Sequence, residues 1–423
     1  MQCLFLRLLL RPLLDFRQHM TLNIRLFAFI LAVLSALAPF SIDTYLPAIP
    51  AMADYFGASV HHVEWSISSY FFGFAVGQLL GGPLSDSLGR RKIALWGLLL
   101  FTLSSIAIAQ VDSVDWLIAL RVLQAIGGGF SVVVVTAMVR DRFEGREAAR
   151  IYTLIGFIMM AAPLTAPAIG AVILEFLQWQ AIFIFLALYG LATIAGVGAL
   201  LAETRSVKRS AARSLGESVR STLVTYGRIL THRGGLAYML AMGFSMGVLF
   251  VYLTDSAFVF IKYYGYSHTS FPIFFSANVL AMMAFNRVNA LLLKRHEPDS
   301  ILRFGLILLV ALTLLLLASA AFSGDQILVF PLLLLAIGSL SFISTNGTAC
   351  FMAHFGEEAG AANAVLGTLR FVFAAILGGF VGFIHDGSLL PMTGMIAFCA
   401  AAALASYKFL RTEAVEGKKP VEA

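Results

Sequence analysis

The sequence predicts an all-α polytopic membrane protein with twelve transmembrane helices in two six-helix bundles. Three observations carry that prediction. Apolar runs of about 18 residues or more recur from one end of the chain to the other, each long enough to cross a bilayer as a helix. Lys and Arg gather in alternate connecting segments, and one long polar stretch divides the runs six and six. Composition agrees: 60% of the residues are hydrophobic and 12% charged, about half the charge fraction of an ordinary soluble domain.

The first bundle, 24–202, contains spans expected at 24–47, 63–83, 93–110, 116–138, 151–175 and 180–201. The second, 236–410, contains spans at 236–260, 269–293, 301–322, 327–350, 360–384 and 391–410. Apart from Lys262, Arg121 and Arg370, every one of the 29 Lys and Arg residues falls in a segment on one side of this layout. Cytoplasmic loops hold the excess of Lys and Arg, so both termini are expected in the cytoplasm. The formal charge of +6 is thereby a topology signal and gives no reason to expect a nucleic-acid partner.

Flanking segments complete the layout. Residues 1–23 form an extension with Arg7, Arg11 and Arg17 on an apolar background and no small-residue cleavage site before the first span. Two readings stand: an interfacial extension, or a true start at Met20. The linker 203–235 carries Arg205, Lys208, Arg209, Arg213, Arg220, Arg228 and Arg233. A basic helix on anionic membrane lipid is expected, with a regulatory site as the alternative. Residues 411–423 are a cytoplasmic tail. Cys3, Cys350 and Cys399 make neither a disulfide framework nor a metal-ligand spacing, so no metal or other cofactor is expected.

The halves echo one another. Tyr55-Phe56-Gly57-Ala58-Ser59, after the first span, is matched by Tyr263-Tyr264-Gly265-Tyr266-Ser267, after the seventh. At the same offset the turn at 82–92 falls on Leu291-Leu292-Leu293-Lys294-Arg295. Two related bundles with a site at their interface is the parallel-repeat logic of many carriers.

Within the spans, ionisable residues need a reason, because a charge at membrane depth costs several kcal/mol unless paired, neutralised or facing water. Asp43, about 27 Å from the inner boundary at 1.5 Å per residue, is a candidate proton-binding carboxylate; the alternative is an acid already among outer headgroups. Arg121 lies about 9 Å below the outer boundary, at a depth it can share with Asp43, although contact between them is not visible from sequence; the alternative is a packing arginine paired to a backbone carbonyl or headgroup. Asp255 stands near the outer end of span seven, about one turn past the repeat equivalent of Asp43. Arg370 lies about 15 Å into span eleven, where it can bind an anionic group, neutralise an acid or form a structural ion pair. Tyr45 and Asn278 join Asp255 and Arg370 as candidate substrate contacts, and Asn286, Asn289 and Asn346 add uncharged hydrogen-bonding groups. Glu64 is expected at the membrane interface and Asp54 in a loop. Gly73, Gly77 and Gly81 make a smooth packing stripe. Phe71, Phe72, Phe74, Phe244, Phe250, Phe258 and Phe260 suit an aromatic cavity wall, although lipid-facing bulk is the plainer expectation for most of them.

The string Gly82-Pro83-Leu84-Ser85-Asp86-Ser87-Leu88-Gly89-Arg90-Arg91-Lys92 is a basic hinge. Gly82 and Gly89 are expected to permit tight turns, and Asp86 to pair with one of the cations that follow. It resembles the loop between the second and third spans of the major facilitator superfamily, G-x-L-(A/S)-D-R-x-G-R-(R/K)-(R/K/P), with Ser87 in place of the usual arginine. The resemblance implies a conformational latch built from Gly82, Asp86, Gly89, Arg90 and Arg91. Arg121-Val122-Leu123-Gln124-Ala125-Ile126-Gly127 is similar to that family's R-x-x-Q-G-x-G motif, implicated there in proton transfer, with Ala125 replacing a glycine. Ala166-Pro167-Ala168-Ile169-Gly170-Ala171 is similar to the G-P-x-x-G-G signature of drug antiporters, with both outer glycines changed to alanine.

Over about 22–410 the chain resembles the drug:proton antiporters of the bicyclomycin and chloramphenicol resistance type. The resemblance implies an exporter of small amphiphilic compounds in the bacterial inner membrane, driven by the proton gradient and working as a monomer, with Asp43 and Arg121 coupling to protons. Two other classes remain open. One is a metabolite carrier in which Arg370 grips a carboxylate. The other is a membrane-embedded enzyme or receptor, for which the chain offers no phosphate loop, metal cluster or nucleophile–base spacing.

Overall fold

The computed structural model describes residues 22–204, 224–356 and 358–415. The N-terminal extension and most of the basic linker, with the interfacial readings attached to them, lie outside the described residues. Helix α1 (Leu22–Asp43) is followed by a 3₁₀ turn (Leu46–Ala48) and a short α2 (Ile49–Phe56). The first half continues with α3 (Val60–Leu88), α4 (Arg90–Ile108), α5 (Val114–Arg142), α6 (Gly145–Phe176) and α7 (Gln180–Leu200). The second half has α8 (Arg233–Ala257), which runs into a π-helical turn (Phe258–Tyr263), then α9 (Phe271–Leu292) and α10 (Pro298–Phe322). It ends with α11 (Gln326–Met352), α12 (Ala359–Ile384) and α13 (Leu390–Val415).

Eleven of these are helices long and apolar enough to cross a membrane. The twelfth crossing, α3, is not among the eleven, and the reason is visible in its residues. It carries His61, His62, Glu64, four serines before Asp86 and then Asp86 itself over 29 positions, and packs against α5 and α12. Its stripe of Gly73, Gly77 and Gly81 lies on the α5 backbone; a Cβ at Gly77 would come within 2.5 Å of the Ile126 carbonyl.

Three expectations need correction. Span one is not a continuous helix to 47: it ends at Asp43, and Pro47 and Pro50 restart the chain, because a proline has no N–H to continue the ladder but suits a first helical turn. Gly82 is no turn residue but lies inside α3, beside Pro83. Only Gly89 takes the positive φ, 106°. Asp54 is helical in α2, not in a loop.

The halves meet through α3 against α12 and α6 against α9, contacts that exchange under the repeat. Between them Phe71 packs on Phe250 at 4.4 Å and Phe74 on Phe371 at 4.6 Å between ring centroids. Phe71, Phe74, Phe250 and Phe260 are buried, which overturns the expectation that most of these rings face lipid; Phe72, at 55% exposed, does follow it.

Candidate functional site

The break after α1 sets the site. Gly170 of α6 presses on the Thr44 carbonyl so closely that a Cβ there would collide with it. The small residue retained in the A-P-A-I-G-A string thus lets α6 approach the end of α1. Asp43 is the last residue of α1, 4% exposed, and has neither a hydrogen bond nor an ion pair among the described residues. Among the described residues it is the only charged one lining a cavity of about 280 Å³. The walls are otherwise Met159, Met160 and Pro163 of α6, Leu249 and Leu253 of α8, residues of α9 including Asn286, and Ser341 of α11. A lone carboxylate in an apolar chamber between the halves suits protonation or a cationic ligand.

Arg121 is fully buried and does not reach Asp43 as an ion pair. Its Nη1 donates to the Ser41 carbonyl and to Ser41 Oγ, each at 3.2 Å, and to Gln124 Oε1 at 2.6 Å. Gln124 in turn donates to Ser105 Oγ at 2.7 Å. The guanidinium lies over Tyr45 and Tyr70, 4.4 and 4.2 Å from the ring centres, so two π faces offset part of its desolvation. Its Nε and Nη2 have no partner among the described residues. Arg121 therefore braces the helix two residues before Asp43 while keeping donors free.

At the end of the molecule away from the 89–92 turn, ion contacts cross between the halves. Asp54 meets Lys262 at 3.5 Å and Glu175 meets His268 at 3.3 Å. Deeper lies a cluster absent from the sequence reading. His61 Nδ1 contacts Glu64 Oε2 at 2.9 Å, and His385 Nε2 lies 3.4 Å from Asp255 Oδ1. The two imidazoles stack with centroids 3.3 Å apart and planes 21° apart. Glu64 is 0% exposed, so the expectation of an interfacial residue is wrong: the junction with α12 covers it. The signal was available in the acid and histidine three apart at the start of α3, but its partner, His385, is some 320 residues away in sequence and only the packing of α3 on α12 joins them.

Asp255, His61 and His385 offer polar atoms within 4.8 Å of one another. Yet a metal must lie in the plane of each imidazole that binds it, about 2.0–2.1 Å from the nitrogen. Two stacked, nearly parallel rings have no common point that close, and no metal site is assigned.

The remaining candidates lie apart from the cavity lining. Tyr45 packs on Arg121 and bonds Ser66 Oγ at 3.1 Å. Asn278 donates to Tyr252 Oη at 2.9 Å, and Asn346 to Asn289 Oδ1 at 2.7 Å. Arg370 donates to Thr348 Oγ1 at 2.9 Å and approaches Met242 Sδ, with no carboxylate pairing it among the described residues. In the basic turn, Arg90 pairs Asp86 at 2.5 Å and Asp141 at 3.2 Å, and donates to Ser85 Oγ at 2.6 Å. The N–H groups of Arg90 and Arg91 donate to the two Glu203 oxygens at 2.9 and 3.2 Å, a carboxylate on a helix N-terminus. Arg91 also donates to the Gly198 carbonyl. All these latch contacts fall within the first half and the start of the linker.

Residues 31–379 match the Major Facilitator Superfamily. The chain is 30% identical to the bicyclomycin resistance protein homolog of Haemophilus influenzae, over 93% of its own length and 98% of that protein. It is 31% identical to the chloramphenicol resistance protein of Pseudomonas aeruginosa, over 86% of this chain and 84% of the other. Its backbone matches a partially occluded inward-open form of the xylose transporter XylE from E. coli with a TM-score of 0.70 at 14% identity, covering 92% and 98% of the two chains, a likeness of fold.

Proposed function

Because the chain belongs to the Major Facilitator Superfamily, whose members are transporters and not enzymes, we propose that it exports small amphiphilic compounds across the bacterial inner membrane in exchange for protons. The observation that carries this reading is Asp43, the single charge among the described residues of a mostly apolar cavity wall shared by both halves. Protonated, Asp43 leaves the chamber neutral. Ionised, it attracts a cationic or amphiphilic substrate and the unpartnered donors of Arg121. Proton and substrate thus compete for one carboxylate, and rocking of bundles 24–202 and 236–410 about the cavity exposes it to each side in turn. The names of the relatives that resist bicyclomycin and chloramphenicol support drugs as the substrate class. The protein works as a monomer with both termini in the cytoplasm, and the proton gradient takes the place of a cofactor. Asp86, Gly89, Arg90 and Arg91, with Gly82 inside the preceding helix, form a latch whose bonds are here satisfied within the first bundle and its linker.

The test is reconstitution into vesicles with an imposed pH gradient. Asp43→Asn is expected to abolish proton-driven efflux while leaving folded, monodisperse protein; undiminished efflux overturns the role of Asp43.

A second reading rests on Arg370, a cation near mid-span without a counter-ion among the described residues. It makes the cargo a small organic anion, an amino-acid derivative or a siderophore, held by its carboxylate. Competition separates the two: a charged metabolite quenches flux that lipophilic cations leave untouched.

A further inference from the structure

The cluster of His61, Glu64, Asp255 and His385 plays no part in the cavity. It joins the first half to the second where the two seal against one another. His61 and Glu64 stand on the first turns of α3, Asp255 near the end of α8, and His385 just past α12. Phe258 packs on both imidazoles, 5.0 and 4.3 Å from their centres. The Glu64 and Asp255 side chains, like that of His385, have no exposed surface. Four of their polar atoms, Glu64 Oε1, both Asp255 oxygens and His385 Nε2, lack a good hydrogen bond among the described residues.

Charge counting decides what such a cluster must hold. Three of the four side chains are fully covered and His61 keeps 19% of its surface, so net charge on the cluster is strongly penalised by lost hydration. Two carboxyl groups and two imidazoles are neutral together only when they share two protons, whether each proton sits on acid or ring. Spread apart in water above pH 7, the same four groups hold neither: carboxylates titrate near 4 and imidazoles near 6.5. The geometry points to a second proton-binding site, distinct from Asp43, that takes up two protons as the halves close at this end and releases them as they part. In the exporter reading, on which its place in the cycle rests, protons arriving from outside would favour closing the outer side.

The other ionisable groups that act on the cluster are the Tyr45 hydroxyl and the exposed Asp386 beside His385. The surrounding pairs are Asp54 with Lys262 and His62 with Asp115. Tyr45 also bonds Ser66, two residues past Glu64, and stacks on Arg121, which gives the cluster a packed route toward Asp43.

The sign follows from linkage. Closure that consumes two protons is favoured about 100-fold per unit fall in pH above about 7. The dependence levels off below the imidazole range, where the open form is already protonated. Spin labels at Asp112 and Ser323, exposed turns of opposite halves at this end, report the opening by electron–electron distance in lipid nanodiscs between pH 5 and 8.5, with the native cysteines replaced by serine. Wild type is expected to pass from the short to the long distance as pH rises, with a slope approaching two protons. Glu64→Gln with Asp255→Asn keeps the shape and removes the need for protons, so its closed fraction should not vary above pH 7. A wild-type distance that is the same at pH 5 and 8.5 overturns the proposal, and so does a Gln/Asn variant with the wild-type slope. The wild-type scan stands even if the variant does not fold. No substrate is present, so a failure to export amphiphilic compounds leaves the result intact. Asp43→Asn is expected to retain the slope.

Discussion

At the scale of single residues, Arg121 shows how a cation is kept in a membrane span without an acid beside it. Two tyrosine faces, a backbone carbonyl, a serine hydroxyl and the Gln124 amide share the work. Gln124→Leu removes the shortest of these acceptors and also takes a donor from Ser105, which keeps its own bond to the Phe101 carbonyl. Leaving a buried charged donor unmet costs about 1–3 kcal/mol, so the variant should melt lower in detergent and lose efflux, whereas Gln124→Glu should retain the fold. The R-x-x-Q spacing was legible in sequence because three residues along a helix return to the same face. The contact with Ser41 was not: it depends on where α1 breaks.

Among the elements, the two informative features are both interruptions. Gly89 separates α3 from α4 with a backbone conformation almost confined to glycine, φ 106° and ψ 144°, and its open side is filled by the Glu203 carboxylate. Gly89→Ala is expected to cost about 1–3 kcal/mol in backbone strain, read as a lower melting temperature. Adding Glu203→Ala should relieve the collision but leave the strain and remove the carboxylate that accepts from the Arg90 and Arg91 N–H groups, so the double variant should stay less stable than wild type. Gly170→Val should drive α6 off the Thr44 carbonyl and stop transport even if the protein folds, measured as lost efflux with an unchanged elution profile. Helix positions were read well from apolar length. The irregular ends at 44–48 and 258–263 were not, because proline and aromatic residues permit a break without requiring it, and neighbouring helices must re-satisfy the freed backbone groups.

Across the whole molecule, the arrangement is a chamber between two bundles, braced by phenylalanines and sealed at one end by charge pairs. If the seal opens during turnover, tying it shut stops turnover. Cysteines at Asp54 and Lys262, whose side chains meet at 3.5 Å, should cross-link through a short bifunctional thiol reagent in a background without the native cysteines. Efflux should then fall to background and return on cleavage of a reducible linker; continued transport by fully linked protein would show that this end need not open.

Sequence alone determined the membrane class, the twelve crossings and the candidate importance of Asp43 and Arg121, because hydrocarbon tolerates only long apolar helices and makes each intramembrane charge conspicuous. Tertiary structure decided which of those charges lines a cavity. It left Asp43 and Arg121 unpaired with each other, put Asp255 beside His385, and buried Glu64 at a junction where an interfacial site was expected. Those outcomes depend on which helix faces meet across the halves, a long-range matter that no single span's pattern encodes.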